Sequence, residues 1–167
     1  GSIPAAIYMG VHKHFEHRQP RYIVVEPTEA DCVFLSIANG CPTPAAGTLK
    51  TIMAGLACRE VSPAAWSILR WIASDAVAIP DDAARSAMRV LAAGNGDVPI
   101  VAGESAVGGA AVLLAAKGDA DLRVALGLDA NSEILLFGCE GATDPTIYSE
   151  IVGRTPDAVF ARQSKAM

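Results

Sequence analysis

Apolar positions recur along this chain with two periods, and they divide it into alternating helices and strands. Ile7, Val11 and Phe15 recur every fourth residue behind Pro4, which predicts a helix over residues 3–17, ended by Gln19 and Pro20. The short β-branched run 22–25 predicts a buried parallel strand. Thr28 is placed to cap a helix over 29–38, closed by Asn39 and Gly40. Residues 41–50 hold Pro42, Pro44 and Gly47, show no period, and predict a loop. Residues 51–58 are small and apolar, suited to close approach to another backbone. Ser62 and Pro63 pair a cap with a first-turn proline, and Trp66, Leu69, Ile72 and Ala73 give the following helix its apolar face. A second strand is predicted over 76–79, then a helix from Pro80-Asp81-Asp82 to about Ala93 with Ala84, Met88 and Leu91 inward. Residues 99–103 predict a short strand or extended entry, 105–117 a small-residue helix, and 121–126 a shorter one. A third strand is predicted over 132–137, and a last helix from Asp144 through Ile147 and Ile151 to Gly153. Residues 154–167 have no periodic apolar face and are expected to be partly loose.

Strands alternating with helices predict an α/β fold, a mostly parallel open sheet flanked by helices. With 167 residues and no internal linker, the chain is expected to form one α/β portion over 1–153 and a C-terminal tail over 154–167. Half of the residues are apolar but only 5% are aromatic, so the interior must be packed with Ala, Val, Ile and Leu. The clearest apolar stretch, 106–116, contains two glycines and is too short to cross a bilayer. No basic segment precedes an apolar core, so no signal peptide is visible. The chain opens on Gly1-Ser2 without a Met, as a processed product or a piece of something longer does.

A net charge of −5 argues against a nucleic-acid or anionic-membrane partner. The basic stretch from His12 to Arg21 carries Glu16 and reads as a solvated helix end. Cys32, Cys41, Cys58 and Cys139 form no CxxC pair, so neither a zinc knuckle nor a thioredoxin motif is supported, and reduced thiols in a cytoplasm are expected. His12, His14 and His17 lack a second ligand cluster and read as exposed helix residues, with no metal site expected.

Three segments offer more than scaffold. In GSIPAAI, small residues lead into a helix N-terminus, whose backbone N–H groups suit a phosphate; on these residues alone a non-native Gly1-Ser2 is the simpler explanation. In PIVAGESAVGGAAVLLAA, Glu104 stands between an apolar run and a helix nearly free of polar side chains. It either complements the helix dipole or serves a ligand, and the small residues around it leave room for something bulky. In LLFGCEGATDP, a strand end carries a thiol and a carboxylate between Gly138 and Gly141. There Thr143 serves as a helix cap and Cys139 as a small core hydrophobe, or the strand end faces a ligand, as in open α/β sheets.

YIVVEPTEADC, TIMAGLACREVSPAAWSIL, AVAIPDDAARSAMRVL, PIVAGESAVGGAAVLLAA and ILLFGCEGATDPTIYSEIVG, in that order, resemble the C-terminal half of the diaminopropionate ammonia-lyases. These are fold-type II pyridoxal-phosphate enzymes, with threonine dehydratase and the tryptophan synthase β chain. The resemblance covers residues 3 to about 153. It implies pyridoxal 5'-phosphate as cofactor, α,β-elimination of 2,3-diaminopropionate to pyruvate and ammonia, an amino-acid substrate, and a cytoplasmic homodimer. It implies that Gly1 and Ser2 end the phosphate loop, that Gly103 and Glu104 line the cofactor ring, and that Gly138 and Cys139 face the pyridine nitrogen. Cys139 stands where a Ser or Thr hydroxyl is expected. The Schiff-base lysine of the family lies in a Ser-Phe-Lys type motif in the other half, which this sequence lacks. Lys13, Lys50, Lys117 and Lys165 read as surface residues, so the chain alone is expected to be inactive, with no catalytic residue of its own. The competing readings are a serine or threonine dehydratase-like enzyme and a non-catalytic domain that binds a phosphorylated small molecule.

Overall fold

Local capping signals set most of the helix boundaries. The computed structural model describes residues 2–15 and 19–166, the side chains of 165 and 166 excepted; Gly1 and His17 lie outside the described residues. Helix α1 (Ser2–His14) carries Pro4 in its first turn. Strand β1 (Tyr22–Pro27) leads to helix α2 (Cys32–Asn39), which Gly40 ends in the left-handed conformation at φ 68°. Helix α3 (Pro63–Ile72) begins as its sequence predicts, with Ser62 Oγ accepting the Ala65 N–H. Strand β2 (Ala73–Ile79) follows directly, three residues longer than its apolar run, because Ser74 and Asp75 bond to Tyr22 N–H and Arg21 beside β1. Helices α4 (Asp81–Ala93), α5 (Gly108–Gly118), α6 (Ala120–Leu126) and α7 (Pro145–Val152) complete the expected set. A last helix, α8 (Pro156–Ala166), was not expected.

The fold is α/β, with β1 and β2 paired in parallel and helices beside them. Two compact units are distinguishable. In the first (1–51 with 56–78), Val24, Cys32, Val33, Ala45, Val61, Ala65, Trp66 and Leu69 form the core. In the second (52–55 with 79–167), α4 packs on α5 and α7 through buried Ala84, Ala87, Met88, Ala111 and Val112, with Tyr148 the largest fully buried side chain. Alanine and glycine at these crossings let the helix axes approach closely, which is how a chain poor in aromatics fills its interior.

Four expectations are corrected. Helix α2 starts at Cys32, not 29, and Thr28 does not cap it: Ala30 N–H closes a turn onto Pro27 O, and the acceptor at the helix start is Glu26. Helix α5 starts at Gly108, because residues 104–106 form a turn closed by Ala106 N–H on Gly103 O. Residues 132–137 form no strand among the described residues, and of the two readings of 99–103 the short strand falls away. Ile134, Leu135, Leu136 and Phe137 are each about half exposed or more. Their apolar character suits a central strand, but a strand exists only where a neighbouring ladder accepts its N–H and C=O groups. Residues 156–166 are helical rather than loose. Val159 is fully buried, Thr155 Oγ accepts the Ala158 N–H, and the Arg162 guanidinium donates to Ala92 O and Ala93 O at the end of α4. One deep anchor and a helix-end cation replace the apolar stripe that the sequence lacks.

Candidate functional site

Gly103 is the residue on which the second unit's candidate site is built. Its N–H donates to Glu140 O at 3.1 Å, and the space where a Cβ would stand is taken by Gly141 O and by the Glu140 side chain, 2.8 Å away. The turn 103–106 and the segment 138–143 therefore touch backbone to backbone. Gly138 faces Ala106 at ordinary contact distance, whereas Gly141 has open space at its Cβ position. The turn is tied on its other side as well: Ser105 Oγ accepts the Gly55 N–H at 3.0 Å from a 3₁₀ turn (Ala54–Leu56). Nearby, Asp81 at the start of α4 accepts the Ile52 N–H at 3.0 Å.

These contacts place Glu104 and Cys139 each one residue from the same backbone hydrogen bond, on adjoining segments rather than at opposite ends of the unit. Cys139 is exposed, not a core hydrophobe, and Asp144 rather than Thr143 caps α7, accepting from Thr146 and Ile147 N–H. Glu104 is 6% exposed. Burial pushes its carboxyl above the usual range; its own backbone N–H opposes that, and the charges of Glu140 and Asp144 add to it. The fold thus disfavours the charged form relative to the unfolded chain. The associated stability is complete below the ordinary carboxylate pKa and is lost as pH rises through the raised value. Glu104→Gln is accordingly expected to raise the urea midpoint at pH 7 by on the order of 0.5 M, with the gap closing near pH 4. Equal midpoints at both pH values would show that burial of this carboxyl costs nothing.

Of the remaining cofactor-site candidates, Ser2 belongs to the first unit. Ser2 is the exposed first residue of α1, and Gly1 lies outside the described residues. Lys13, Lys50 and Lys117 are all exposed. Among the described residues no group of three His, Cys, Asp or Glu could hold a metal ion, and no helix is long and apolar enough to cross a membrane. Ser105 was not singled out by residue pattern, and Glu140 was noted only as part of the strand end, without a role of its own. The signal available for Glu140 was its placement, a carboxylate between two glycines where a plain turn needs none.

The exposed thiol of Cys139 and the buried carboxyl of Glu104 are the polar groups that the junction offers a ring, and Gly141 is the glycine beside them with open space at its Cβ position.

A family model described as pyridoxal-phosphate dependent enzyme matches residues 1–137. Diaminopropionate ammonia-lyase of Escherichia coli K12 is 38% identical over 141 residues, covering 82% of this chain and 35% of that protein. The enzyme of the same name from Salmonella typhimurium LT2 is 35% identical over 159 residues, covering 91% of this chain and 39% of its own length. The crystal structure of the Escherichia coli enzyme in complex with D-serine superposes with a TM-score of 0.75 at 34% identity, over 85% of this chain and 36% of that one. The chain thus spans little more than a third of the length of the relatives it matches.

Proposed function

The chain belongs to the family of pyridoxal-phosphate dependent enzymes, and from that premise we propose that it is part of an ammonia-lyase that converts 2,3-diaminopropionate to pyruvate and ammonia. The carrying observation is the backbone contact of 103–106 with 138–141, which brings Glu104 and Cys139 each to within one residue of the same hydrogen bond. When bound, pyridoxal phosphate withdraws electrons from the substrate α-carbon, so that the α-proton and the β-amino group can leave. Gly103 lets the two segments meet backbone to backbone, and Gly138 contacts Ala106. Glu104 lines the ring, and burial raises its carboxyl above the usual range. Cys139 faces the pyridine nitrogen with a thiol, a weaker hydrogen-bond partner than a hydroxyl, which does not hold that nitrogen protonated as a carboxylate does. Such a setting suits elimination more than transamination. Among the described lysine side chains, Lys13, Lys50 and Lys117 are exposed, and the amine that tethers the cofactor is assigned to the half of the protein that the resemblance places outside these residues.

The test is made on the complete protein, loaded with pyridoxal phosphate and desalted. A retained absorption band at the visible edge, with pyruvate released from 2,3-diaminopropionate faster than from serine or threonine, is the expected result. Faster release from serine or threonine favours the dehydratase-like reading, and retention of the cofactor with no pyruvate from any of them leaves only a binding domain. The 167-residue chain by itself is expected to release no pyruvate.

A further inference from the structure

A carboxylate between Gly138-Cys139 and Gly141 is not needed to make a turn, and Glu140 is not placed to be one more surface charge. It is half-buried, and all three of its oxygen atoms accept hydrogen bonds. Its backbone oxygen takes the Gly103 N–H. Oε2 takes the Ser105 N–H at 2.7 Å, the short distance of a charge-assisted bond. Oε1 takes the Thr143 hydroxyl at 3.1 Å. Ser105 is engaged on its far side by Gly55 N–H, so the Ser105 peptide is held between two segments. Glu104, flanked by Gly103 and Ser105, therefore has both neighbours fastened to the same residue, and that residue follows Cys139 directly.

We propose that Glu140 is a positioning residue of the cofactor site: its side chain clasps the 103–106 turn to the 138–143 segment and so sets where Glu104 and Cys139 stand relative to one another. The role rests on the cofactor reading above. It depends on reach rather than on charge. An Asp at this position keeps the charge but is one methylene too short for the Ser105 N–H. A Gln keeps the length and an acceptor oxygen for Ser105, and turns its NH₂ toward the Thr143 hydroxyl, which can accept it.

The complete protein carrying Glu140→Asp or Glu140→Gln separates these. Two measurements are made: amide hydrogen exchange of the cofactor-free protein, and the affinity for pyridoxal phosphate followed by its absorption band. Glu140→Asp is expected to speed exchange at Ser105 about tenfold, with α4 and α5 unchanged, to weaken cofactor binding about tenfold and to shift the band. Glu140→Gln is expected to stay within about threefold of wild type in both. The reverse order, Asp tolerated and Gln not, overturns the proposal in favour of a purely electrostatic role, and wild-type behaviour in both variants overturns it outright. If wild-type protein binds no pyridoxal phosphate while Glu140→Asp still releases the Ser105 amide, the clasp exists but the cofactor reading has failed, and the positioning role fails with it.

Discussion

Gly103→Ala is expected to lower the affinity of the complete protein for pyridoxal phosphate by about two orders of magnitude. The added methyl group has no space. It would meet Gly141 O and the Cγ and Oε2 atoms of Glu140, and the nearest of these is backbone that cannot rotate away. The 103–106 turn and the 138–143 segment must then separate by about 1 Å, a displacement that costs a well-ordered site roughly a hundredfold. The Gly103 to Glu140 hydrogen bond lengthens or breaks, and the Ser105 clasp goes with it. Overpacking of this kind costs about 1–3 kcal/mol of stability, so the protein is expected to remain folded while losing its cofactor. Gly141→Ala is the control for the fold. Nothing lies within 4 Å of its Cβ position, and its unfolding midpoint is expected to match wild type within about 0.5 kcal/mol. Retention of wild-type affinity in Gly103→Ala would show that the close approach of the two segments has no bearing on the ligand.

Glu26→Ala is expected to be the most destabilising single change in the first unit, at about 2–4 kcal/mol. Helix α2 has Asp31 in the N-cap position, but its side chain makes no capping bond. The N–H groups of Val33 and Phe34 donate instead to Glu26 Oε2, each at 2.9 Å, from the end of β1. Glu26 is 7% exposed, so its removal leaves two helix-start amides without acceptor or water. Burial raises the Glu26 carboxyl above its usual range, and the two N–H groups only partly offset this. As with Glu104, the fold disfavours the charged form relative to the unfolded chain. The stability tied to the neutral form is present below the ordinary carboxylate pKa and is lost as pH rises through the raised value. Glu26→Gln keeps one acceptor oxygen and is expected to cost less than about 1 kcal/mol at pH 7 while flattening the pH dependence. Chemical denaturation of both variants at pH 5 and pH 8 checks this, and an Ala variant as stable as the Gln variant would remove Glu26 as the cap. Next to this carboxylate, Cys32 is pushed up to about 11, first by burial and then by the Glu26 charge, so it is an unreactive thiol at neutral pH.

Several boundaries were legible because their causes lie within a few residues. Ser62 with Pro63, Asp144 with Pro145, and Gly40 and Gly153 in left-handed conformations each act on the helix they adjoin. Segment 132–137 was misread because its cause is remote: an apolar run reports what it prefers to touch, not whether a strand stands beside it. Helix α8 was missed because Arg162 works on the carbonyls of α4, about seventy residues earlier. The cap of α2 was assigned to Thr28 because a capping carboxylate seven residues upstream, on a strand, leaves no local trace.

By itself the sequence determined the α/β class, the order of helices around β1 and β2, and the stretches rich enough in small residues to admit a ligand, since propensity, periodicity and capping are short-range effects. Only the tertiary structure decided that Gly103 and Glu140 meet backbone to backbone, that Ser105 is clasped from both sides, and that Glu104 and Cys139 share one junction. Those contacts join positions between 35 and 50 residues apart, and the free energy that selects them comes from packing and from satisfied buried amides, which no single stretch of chain contains.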